Sequence, residues 1–293
     1  MKPEAPSPKK QTIFNAELAT QMLAERELPY ALNYQSTTHS TNDDALQAAH
    51  GSAHHRTVFL SDEQTNGRGR EGRSWFSEPG ASLTFSVLFR PGWEARKTSG
   101  FALAVGLAVR DALSPWTAGA PKIKWPNDVL YENKKLAGIL VETQIRGAYV
   151  GALVVGIGVN VHTETFPEEV ARIATSLRLA APQQQTRTGN AAVLGVHQGP
   201  PLGVRQDPPA LTRELVLVEI LKQLDARYLE FAKTGVPGVL ANLTEFDALF
   251  GERIEVGHLV GVAAGISREG ALRLRLDSGV ERLIQSGTVR RVG

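Results

Sequence analysis

The stretch Asp62–Trp75 (DEQTNGRGREGRSW), called here the glycine–arginine loop, constrains the fold more than any other part of the chain. Within a few residues it places Gly67, Gly69, Gly72, Arg68, Arg70 and Arg73. Glycine lets the backbone approach a ligand closely, and arginine offers a planar cation that matches phosphate or carboxylate. The stretch is therefore predicted to hold an anion, and a basic surface turn is the alternative.

The segments on either side of the glycine–arginine loop decide which fold can carry it. Its glycines fit G-x-G-x-x-G, but the dinucleotide-binding fold needs a strand before this motif and a helix after it. Thr57–Leu60 is strand-like, whereas Ser74–Pro79 contains an aromatic pair and a proline, and Ala81–Phe89 has the composition of another strand. The Gly-Lys-Ser/Thr ending of a P-loop is also missing. We therefore predict an anion clamp between two strands.

The polar run Ser40–Asp43 precedes the helix-compatible segment Asp44–Ala49. Serine, threonine, asparagine and aspartate are all favoured helix N-caps, so the local sequence favours a cap. The alternative is that hydroxyl and backbone N–H groups at the helix start bind the polar head of a ligand.

Three more strands are predicted in the middle of the chain, and they are Lys122–Asp128, Lys135–Glu142 and Ala152–Val161. The first turns at Pro126–Asp128, and Gly138, Gly156 and Gly158 leave gaps in the side-chain wall of the other two. Either a flat ligand lies on this face or other elements pack tightly against it. The residues alone leave both interpretations open.

The remaining elements are three helices, a linker-like segment and a small strand-rich module at the end of the chain. Apolar periodicity predicts three helices, which are Ile13–Leu28, Thr98–Leu113 and Thr212–Lys233. The Pro-, Gln- and Gly-rich segment 180–210 reads as a long insertion or linker. Residues 251–293 hold no aromatic residue and predict four short strands, namely Arg253–Val256, Leu259–Ile266, Ala271–Asp277 and Glu281–Val292.

Composition excludes several classes of site. The 293 residues include no cysteine, which removes disulfides, thiolate zinc sites and cysteine nucleophiles. A formal net charge of +2 does not call for nucleic acid or membrane as a partner. The seven histidines lack metal-ligand spacing, and no apolar run approaches a membrane span. The polar N-terminus lacks the apolar core of a signal peptide, so a cytoplasmic location is expected.

Several motifs, in this order and spacing, resemble those of the biotin–protein ligases. They are Ser40–Asn42 (STN), Gln64–Trp75 (QTNGRGREGRSW), Lys124–Asp128 (KWPND), Lys135–Leu140 (KLAGIL) and Gly156–Asn160 (GIGVN). The resemblance implies an α+β fold with a mixed β-sheet catalytic domain, packed helices and a small SH3-like C-terminal β-barrel. It implies a tail and short helix at 1–30, a biotin- and ATP-binding catalytic domain at 31–246 and the SH3-like domain at 247–293.

The same resemblance implies an ATP-dependent, AMP-forming ligase that makes biotinyl-5′-AMP and transfers biotin to a lysine of a biotin carboxyl carrier domain. Lys135, Arg70 and Arg68 would be catalytic. Biotin would be bound by Ser40, Thr41, Asn42, Gln64, Arg68, Gly69, Arg70, Lys135 and Gly138. ATP would be bound by Arg70, Arg73, Trp75, Lys124, Asn127, Asp128 and Asn160, with Asp128 holding Mg²⁺. A homodimer is compatible with the resemblance.

The N-terminal segment is too short for the DNA-binding domain that some members of the family carry, so no DNA partner is expected. Two rival functions stay open at the level of the sequence. A lipoate- or octanoate-transferring enzyme would share the broad fold, and a non-catalytic nucleic-acid binder would use the arginines as a phosphate patch. The Gln64 loop and KWPND favour biotin, and the near-neutral charge of the chain argues against nucleic acid.

Overall fold

A computed structural model describes residues 13–182 and 210–292, which form two β-sheets with helices packed mainly on the first. The first sheet has seven strands in the order β1-β2-β3-β7-β6-β5-β4. Its strands are β1 (Ala31–Thr38), β2 (Thr57–Gln64), β3 (Ser82–Phe89), β4 (Lys122–Lys124), β5 (Asp128–Tyr131), β6 (Lys134–Arg146) and β7 (Tyr149–Asn160). Only β1 and β2 pair in parallel, and every other neighbouring pair is antiparallel.

Seven α-helices accompany the first sheet in the described part of the chain. They are α1 (Ala16–Glu25), α2 (Thr41–Ala49), α3 (Phe101–Leu113), α4 (Glu168–Ala171), α5 (Leu177–Ala180), α6 (Arg213–Thr234) and α7 (Val236–Phe246). Helices α1, α3 and α6 pack on one face of the sheet, and α2 packs on the other face. The predicted cap of α6 is confirmed, because the Thr212 side chain accepts a hydrogen bond from Leu215 N.

Strand β3 explains how one face of the sheet becomes core and the other becomes a site. All eight of its residues are buried, yet polar and apolar side chains alternate from Ser82 to Val87. Because successive strand residues point to opposite faces, Leu83, Phe85 and Val87 enter the main core, while Thr84 and Ser86 face the other way. Thr84 and Ser86 pair with Gly158 and Gly156 of β7, so this second face is polar and has little side-chain bulk.

The second sheet is antiparallel, with strand order β11-β10-β9-β8-β12. Its strands are β8 (Arg253–Val256), β9 (Leu259–Ile266), β10 (Leu272–Leu276), β11 (Glu281–Ile284) and β12 (Val289–Arg291). It is tied to the first sheet by the indole N–H of Trp125, which donates to Gly270 O at 3.0 Å. Gly270 also packs directly on Gly100, since an added Cβ on Gly270 would lie 2.8 Å from the Cα of Gly100.

The structure corrects several expected element boundaries. The predicted strand Glu281–Val292 is wrong as one unit, because it divides into β11 and β12. Strand β5 and helix α7 were not anticipated: β5 begins inside the predicted turn, and α7 begins beside Pro237, which the sequence presented only as a helix stop. Of the predicted insertion at 180–210, residues 183–209 lie outside the part of the chain that the structure describes.

No helix within residues 13–182 and 210–292 is long and apolar enough to cross a membrane.

Candidate active site

A cleft opens on the polar face of the first sheet, below the glycine–arginine loop. The predicted site residues that line it are Ser40, Thr41, Asn42, Gln64, Arg68, Gly69, Arg70, Arg73, Trp75, Lys124, Asn127, Asp128, Lys135 and Gly138. The first turn of α2, the Pro126 turn, β6 and β7 form its other walls. The structure therefore brings together residues from motifs that lie far apart in the sequence.

A buried hydrogen-bond chain closes one end of this cleft. The side-chain Oε1 of Gln64 accepts from the backbone N–H of Thr41 at 2.9 Å. The hydroxyls of Thr41 and Ser86 lie 2.7 Å apart, and the Ser86 hydroxyl donates to Oδ1 of Asn42 at 2.6 Å. Because Ser86 uses its one hydroxyl proton on Asn42, the Thr41 hydroxyl is the donor of its own contacts, which are with Ser86 and with Oε1 of Gln64 at 3.2 Å. The lone pairs of Thr41 Oγ1 then remain able to accept.

Ser40 occupies the N-cap position of α2, but its side chain makes no capping hydrogen bond. The predicted helix is confirmed, but it begins at Thr41, three residues before the predicted Asp44, and Ser40 does not make the predicted capping bond. Ser40 is 1% exposed and lines the cleft, so its hydroxyl is available to a bound molecule. Ser86 was not predicted as a site residue, although the alternation of serine and threonine along β3 could have pointed to it.

The Asn42 amide is held on both sides by the protein. Its Oδ1 accepts from Ser86, and its Nδ2 donates to the Glu142 carboxylate at 2.7 Å. An added Cβ on Gly156 would lie 2.1 Å from Asn42 Oδ1, so only glycine fits at that position. Asn42 therefore positions its neighbours, and the predicted direct contact with biotin is not needed to explain its presence.

Arg68 is paired with two carboxylates. Its Nη2 lies 2.7 Å from Asp43 Oδ1 and 2.8 Å from Glu142 Oε2. Glu142 therefore connects the loop to the hydrogen-bond chain through Asn42. Neither Asp43 nor Glu142 was predicted as a site residue. Two carboxylates on one guanidinium compensate its charge, so Arg68 fastens the loop down and is not a free cation.

The first glycines of the glycine–arginine loop serve its own folding. Gly67 O accepts from Trp75 N at 2.8 Å, and Gly69 N donates to Arg73 O at 2.6 Å, so the loop closes on itself. An added Cβ on Gly67 would lie 2.7 Å from the carbonyl oxygen of Trp75. Close approach of the backbone is required here, as the sequence suggested, but the approaching group is the loop itself.

The indole of Trp75 lies on the glycine face of the sheet. An added Cβ on Gly158 would lie 2.4 Å from Trp75 Cε2, and one on Gly138 would lie 2.9 Å from Trp75 Cζ3. The sequence had left open whether a flat ligand or tight packing accounts for these glycines. In this structure the chain's own tryptophan and Asn42 fill the gaps at Gly138, Gly158 and Gly156.

Cations gather at the other end of the cleft. Lys135 Nζ lies 2.8 Å from Asp128 Oδ1 and 5.3 Å from the centre of the Trp75 ring. Burial lowers the pKa of the Lys124 ammonium, and the nearby Asp128 carboxylate opposes this shift. Arg70 reaches Asn127 Oδ1 at 3.4 Å. In the part of the chain that the structure describes, no ion pair involves Arg70 or Lys124.

The KWPND turn is fixed to β6 by its asparagine. Asn127 Nδ2 donates to Ile139 O at 2.7 Å, and Ile139 N donates back to Asn127 O at 3.0 Å. These two bonds leave Asn127 Oδ1 facing Arg70. The turn thus places Asp128 and the oxygen of Asn127 against the cations of the cleft.

Asn160 is the one predicted site residue that does not line the cleft. It is buried and donates its amide to Thr175 O at 2.9 Å and to Lys135 O at 3.4 Å. Its side chain ties the end of β7 to the backbone of neighbouring segments. This position does not support the expected contact of Asn160 with a nucleotide.

The C-terminal sheet also contributes to the cleft, through Gly287, Thr288 and Val289. The Thr288 hydroxyl donates to Glu71 Oε2 at 2.8 Å, and Arg73 is paired with the same carboxylate at 2.9 Å. These residues were not identified from the sequence, since a threonine in a short strand-rich module carries no signal of its own.

Among residues 13–182 and 210–292, no group of three or more His, Asp or Glu side chains could hold a metal ion by itself. Asp128 offers a carboxylate in the cleft. Mg²⁺ is commonly bound by one or two carboxylates together with substrate phosphates, so Asp128 fits a metal that arrives with a nucleotide.

Comparisons with known sequence families give two matches along the chain. Residues 33–160 match the Biotin/lipoate A/B protein ligase family, and residues 250–290 match the biotin protein ligase C terminal domain. The first match contains the loop and the cleft strands, and the second contains all of the C-terminal sheet except Arg291, the last residue of β12.

Individual proteins and structures give the same result over most of the chain. The biotin–[acetyl-CoA-carboxylase] ligase of Mycobacterium tuberculosis is 34% identical over 272 residues, which are 87% of this chain and 86% of that protein. The bifunctional ligase/repressor BirA of Bacillus subtilis is 29% identical over 276 residues, which are 89% of this chain and 77% of that protein. The structure of the biotin protein ligase from Aquifex aeolicus in complex with biotin and ATP superposes with a TM-score of 0.69 and 26% sequence identity. The match covers 89% of this chain and 99% of that chain.

Proposed function

The chain belongs to the biotin protein ligase family, and on that premise we propose how its cleft carries out the reaction. The enzyme is a biotin–protein ligase: it activates biotin with ATP to biotinyl-5′-AMP and transfers the biotinyl group to a lysine of a biotin carboxyl carrier domain. The C-terminal biotin ligase domain and the named relatives separate it from the lipoate- and octanoate-transferring rivals.

The observation that carries the residue assignments is the set of polar atoms left unused by the Gln64–Thr41–Ser86 chain. Oε1 of Gln64 is turned to Thr41, so its two Nε2 hydrogens are left to donate. Thr41 Oγ1 can accept, and the buried Ser40 hydroxyl makes no helix cap. A cyclic urea presents N–H donors beside a carbonyl acceptor. Ser40, Thr41 and Gln64 therefore suit the ureido group of biotin.

The opposite end of the cleft suits the reacting anions. A carboxylate and a phosphate repel each other, so positive charge must be positioned where they meet. Arg70 and Lys124 have no ion-pair partner among the described residues, and Lys135 is held by Asp128 alone. We assign Lys135 to the carboxylate of biotin and the α-phosphate, and Arg70 to the same oxygens. Lys124 and Arg73 then face the rest of the triphosphate.

The glycine–arginine loop is assigned the role of covering the mixed anhydride in the cleft. Its anchor is Arg68, held by Asp43 and Glu142, and its far end carries Trp75 on the sheet. A mixed anhydride is hydrolysed if water reaches it, and a closing loop excludes water from such an intermediate. We assign Gly69 to the path of the biotin chain, and Trp75 with Asn127 to the nucleotide side. Gly138, expected to contact biotin, instead leaves room for the Trp75 ring and the Lys135 side chain.

Mg²⁺ is the metal that this site is proposed to use. Asp128 would share it with the phosphates, and the metal would contribute charge neutralisation of the triphosphate. ATP–pyrophosphate exchange should stop on addition of EDTA and return with excess Mg²⁺.

The expected partners are a biotin carboxyl carrier domain, ATP and biotin, in a cytoplasmic enzyme without a DNA-binding role. A homodimer stays an expectation. Sedimentation with and without biotin and ATP would detect a dimer, and a gel-shift assay at low salt would detect binding of DNA.

The experiment that tests the function is ATP–pyrophosphate exchange with Mg²⁺, run separately with biotin, lipoate and octanoate. Exchange with biotin alone is the expected result. Exchange with lipoate or octanoate at the same rate would contradict the assignment of Ser40, Thr41 and Gln64 to the ureido group, because neither acid contains a urea.

A further inference from the structure

A triangle of side chains joins the glycine–arginine loop to the C-terminal sheet. Thr288, directly before β12, donates its hydroxyl to Glu71 Oε2 at 2.8 Å. The same oxygen accepts from Arg73 Nη2 at 2.9 Å, and Arg73 also donates to the Thr288 hydroxyl. Two corners of the triangle therefore belong to the loop and one to the other sheet.

The loop backbone is shaped for this contact. Glu71 has φ = 58° and Gly72 has φ = 73°, so two consecutive residues adopt left-handed conformations. This conformation is unfavourable for a residue with a side chain and persists where surrounding contacts fix it. The hydrogen bond from Thr288 and the pairing with Arg73 are the contacts that fix the Glu71 side chain.

We propose that Thr288 is a positioning residue for the nucleotide: through Glu71 it docks the glycine–arginine loop on the C-terminal sheet and holds Arg73 where the triphosphate lies. This inference rests on the proposed function and adds a role for the C-terminal sheet. The pair of Arg73 and Glu71 is exposed, and exposed ion pairs are weak. A triphosphate can therefore draw Arg73 away from Glu71, while the hydrogen bond between Thr288 and Glu71 keeps the loop docked.

The effect should fall mainly on ATP because of where the triangle lies. Arg73 lies at the cationic end of the cleft, where its positive charge adds to the effect of burial in lowering the pKa of Lys124. The Gln64–Thr41–Ser86 chain lies at the other end and shares no hydrogen bond with the triangle in the described structure. Loss of the Thr288 hydroxyl should therefore weaken binding of ATP much more than binding of biotin, because Gly69 and Arg70, the loop residues assigned to biotin, lie beside the Arg68 anchor to Asp43 and Glu142.

The test compares Thr288→Val, which keeps the shape and removes the hydroxyl, with Thr288→Ser, which restores it. In ATP–pyrophosphate exchange, Thr288→Val should raise the KM for ATP by about threefold to tenfold, the effect of losing one hydrogen bond. The KM for biotin should stay within about twofold on the same scale. Thr244→Val, which removes a hydroxyl that bonds only within helix α7, is the matched control.

The Glu71 variants separate the two functions of its carboxylate. Glu71→Gln can still accept from Thr288 but no longer pairs as an anion with Arg73, so the KM for ATP should not rise. Glu71→Ala removes both contacts and should behave like Thr288→Val. The proposal is overturned if Thr288→Ser behaves like Thr288→Val, or if the KM for biotin rises as much as that for ATP.

A readout that needs no catalysis keeps this proposal separate from the proposed function. Trypsin cuts after arginine, and the loop carries Arg68, Arg70 and Arg73. Without ligands, Thr288→Val should be cut in the loop faster than the wild-type protein, and Thr288→Ser at the wild-type rate. Equal rates for all three would overturn the docking contact, even if biotin-dependent exchange is found. An absence of exchange in the wild-type protein would overturn the proposed function and, with it, the role for ATP.

Discussion

The ammonium nitrogen of Lys135 lies 2.8 Å from a carboxylate oxygen of Asp128, and the two residues come from neighbouring strands β6 and β5. Gly138 pairs with Asp128 across these strands, and the register shifts between Val129 and Leu130, so Lys135 does not follow the regular ladder. The pair fixes the Lys135 side chain before any ligand binds. A charge that is already in place needs little reorganisation when negative charge develops in the transition state.

Lys135→Ala should strongly slow formation of the adenylate. The loss of one positioned charge in such a site typically lowers the rate by about a hundredfold to a thousandfold. ATP–pyrophosphate exchange in the presence of biotin measures this step. Lys134→Ala is the matched control, because Lys134 is exposed and does not line the cleft. Exchange by Lys135→Ala at the rate of Lys134→Ala would show that the lysine was assigned wrongly.

The sequence predicted the lining of the cleft better than the bonds inside it. Order and spacing of the motifs placed Thr41, Gln64 and Lys135 in one cleft, as the structure has them. The Ser86 and Glu142 contacts could not be predicted this way, because they depend on the pairing of strands that lie far apart in the sequence. Asn160 shows the reverse case, since its motif suggested a ligand while its amide bonds to the backbone.

Gly156→Ala should weaken binding of biotin. The added methyl would lie 2.1 Å from Asn42 Oδ1, so Asn42 must move and the bonds to Ser86 and Glu142 must change. Displacement of a positioning group by about 1 Å can cost up to about a hundredfold in rate, and we expect the KM for biotin to rise at least about tenfold. Titration of biotin in the exchange assay measures this change.

The control for Gly156→Ala is Gly51→Ala, where the added methyl would meet only Ala48 O at 3.6 Å. That variant should keep the wild-type KM for biotin. A normal KM in Gly156→Ala, with normal thermal stability, would mean that the cleft tolerates movement of Asn42 and that the hydrogen-bond chain does not set the biotin site.

The fold was predictable where one segment alone decided the structure. The periodicity of α6 and its Thr212 cap are local features, and both were confirmed. Helix α7 was missed because Pro237, which can end one helix, also fits the first turn of the next. The division between β11 and β12 was missed because it is set by partners: β11 pairs with β10, and β12 pairs with β8.

Arg70→Gly should let the adenylate escape. Arg70 spans the cleft to Asn127 Oδ1 at 3.4 Å, and it has no ion-pair partner among the described residues to hold it elsewhere. A hydrogen bond to a charged group contributes about 1.5–3 kcal/mol, so its loss should raise the release of adenylate about tenfold or more. Filtration of a mixture with biotin and labelled ATP separates free from bound adenylate. Arg70→Lys, which retains the charge, should release less; equal retention by Arg70→Gly and the wild-type protein would argue against a role in covering the intermediate.

The stability of the fold should fall on mild acidification because of His55. Its Nδ1 accepts from the backbone N–H of Arg90 at 2.9 Å, and its ring packs on Phe89 and Tyr228. Burial, followed by the charge of Arg56, lowers the pKa of His55 below its ordinary value, while Asp225 opposes the shift. Below about pH 6.5 the unfolded chain therefore binds a proton that the folded chain resists, so the free energy of unfolding decreases as the pH falls through this window.

Denaturant unfolding at pH 7.5 and pH 5.5 should show this decrease, and His55→Asn should reduce it. Asparagine can still accept from Arg90 N without titrating, although the lost ring contacts lower the stability at both pH values. The exposed neighbour His54 provides the control, and His54→Asn should keep the wild-type difference. Part of the decrease should persist in His55→Asn, because burial also lowers the pKa of His162. A His55→Asn protein with the full wild-type difference would show that protonation at this position is not what destabilises the fold in acid.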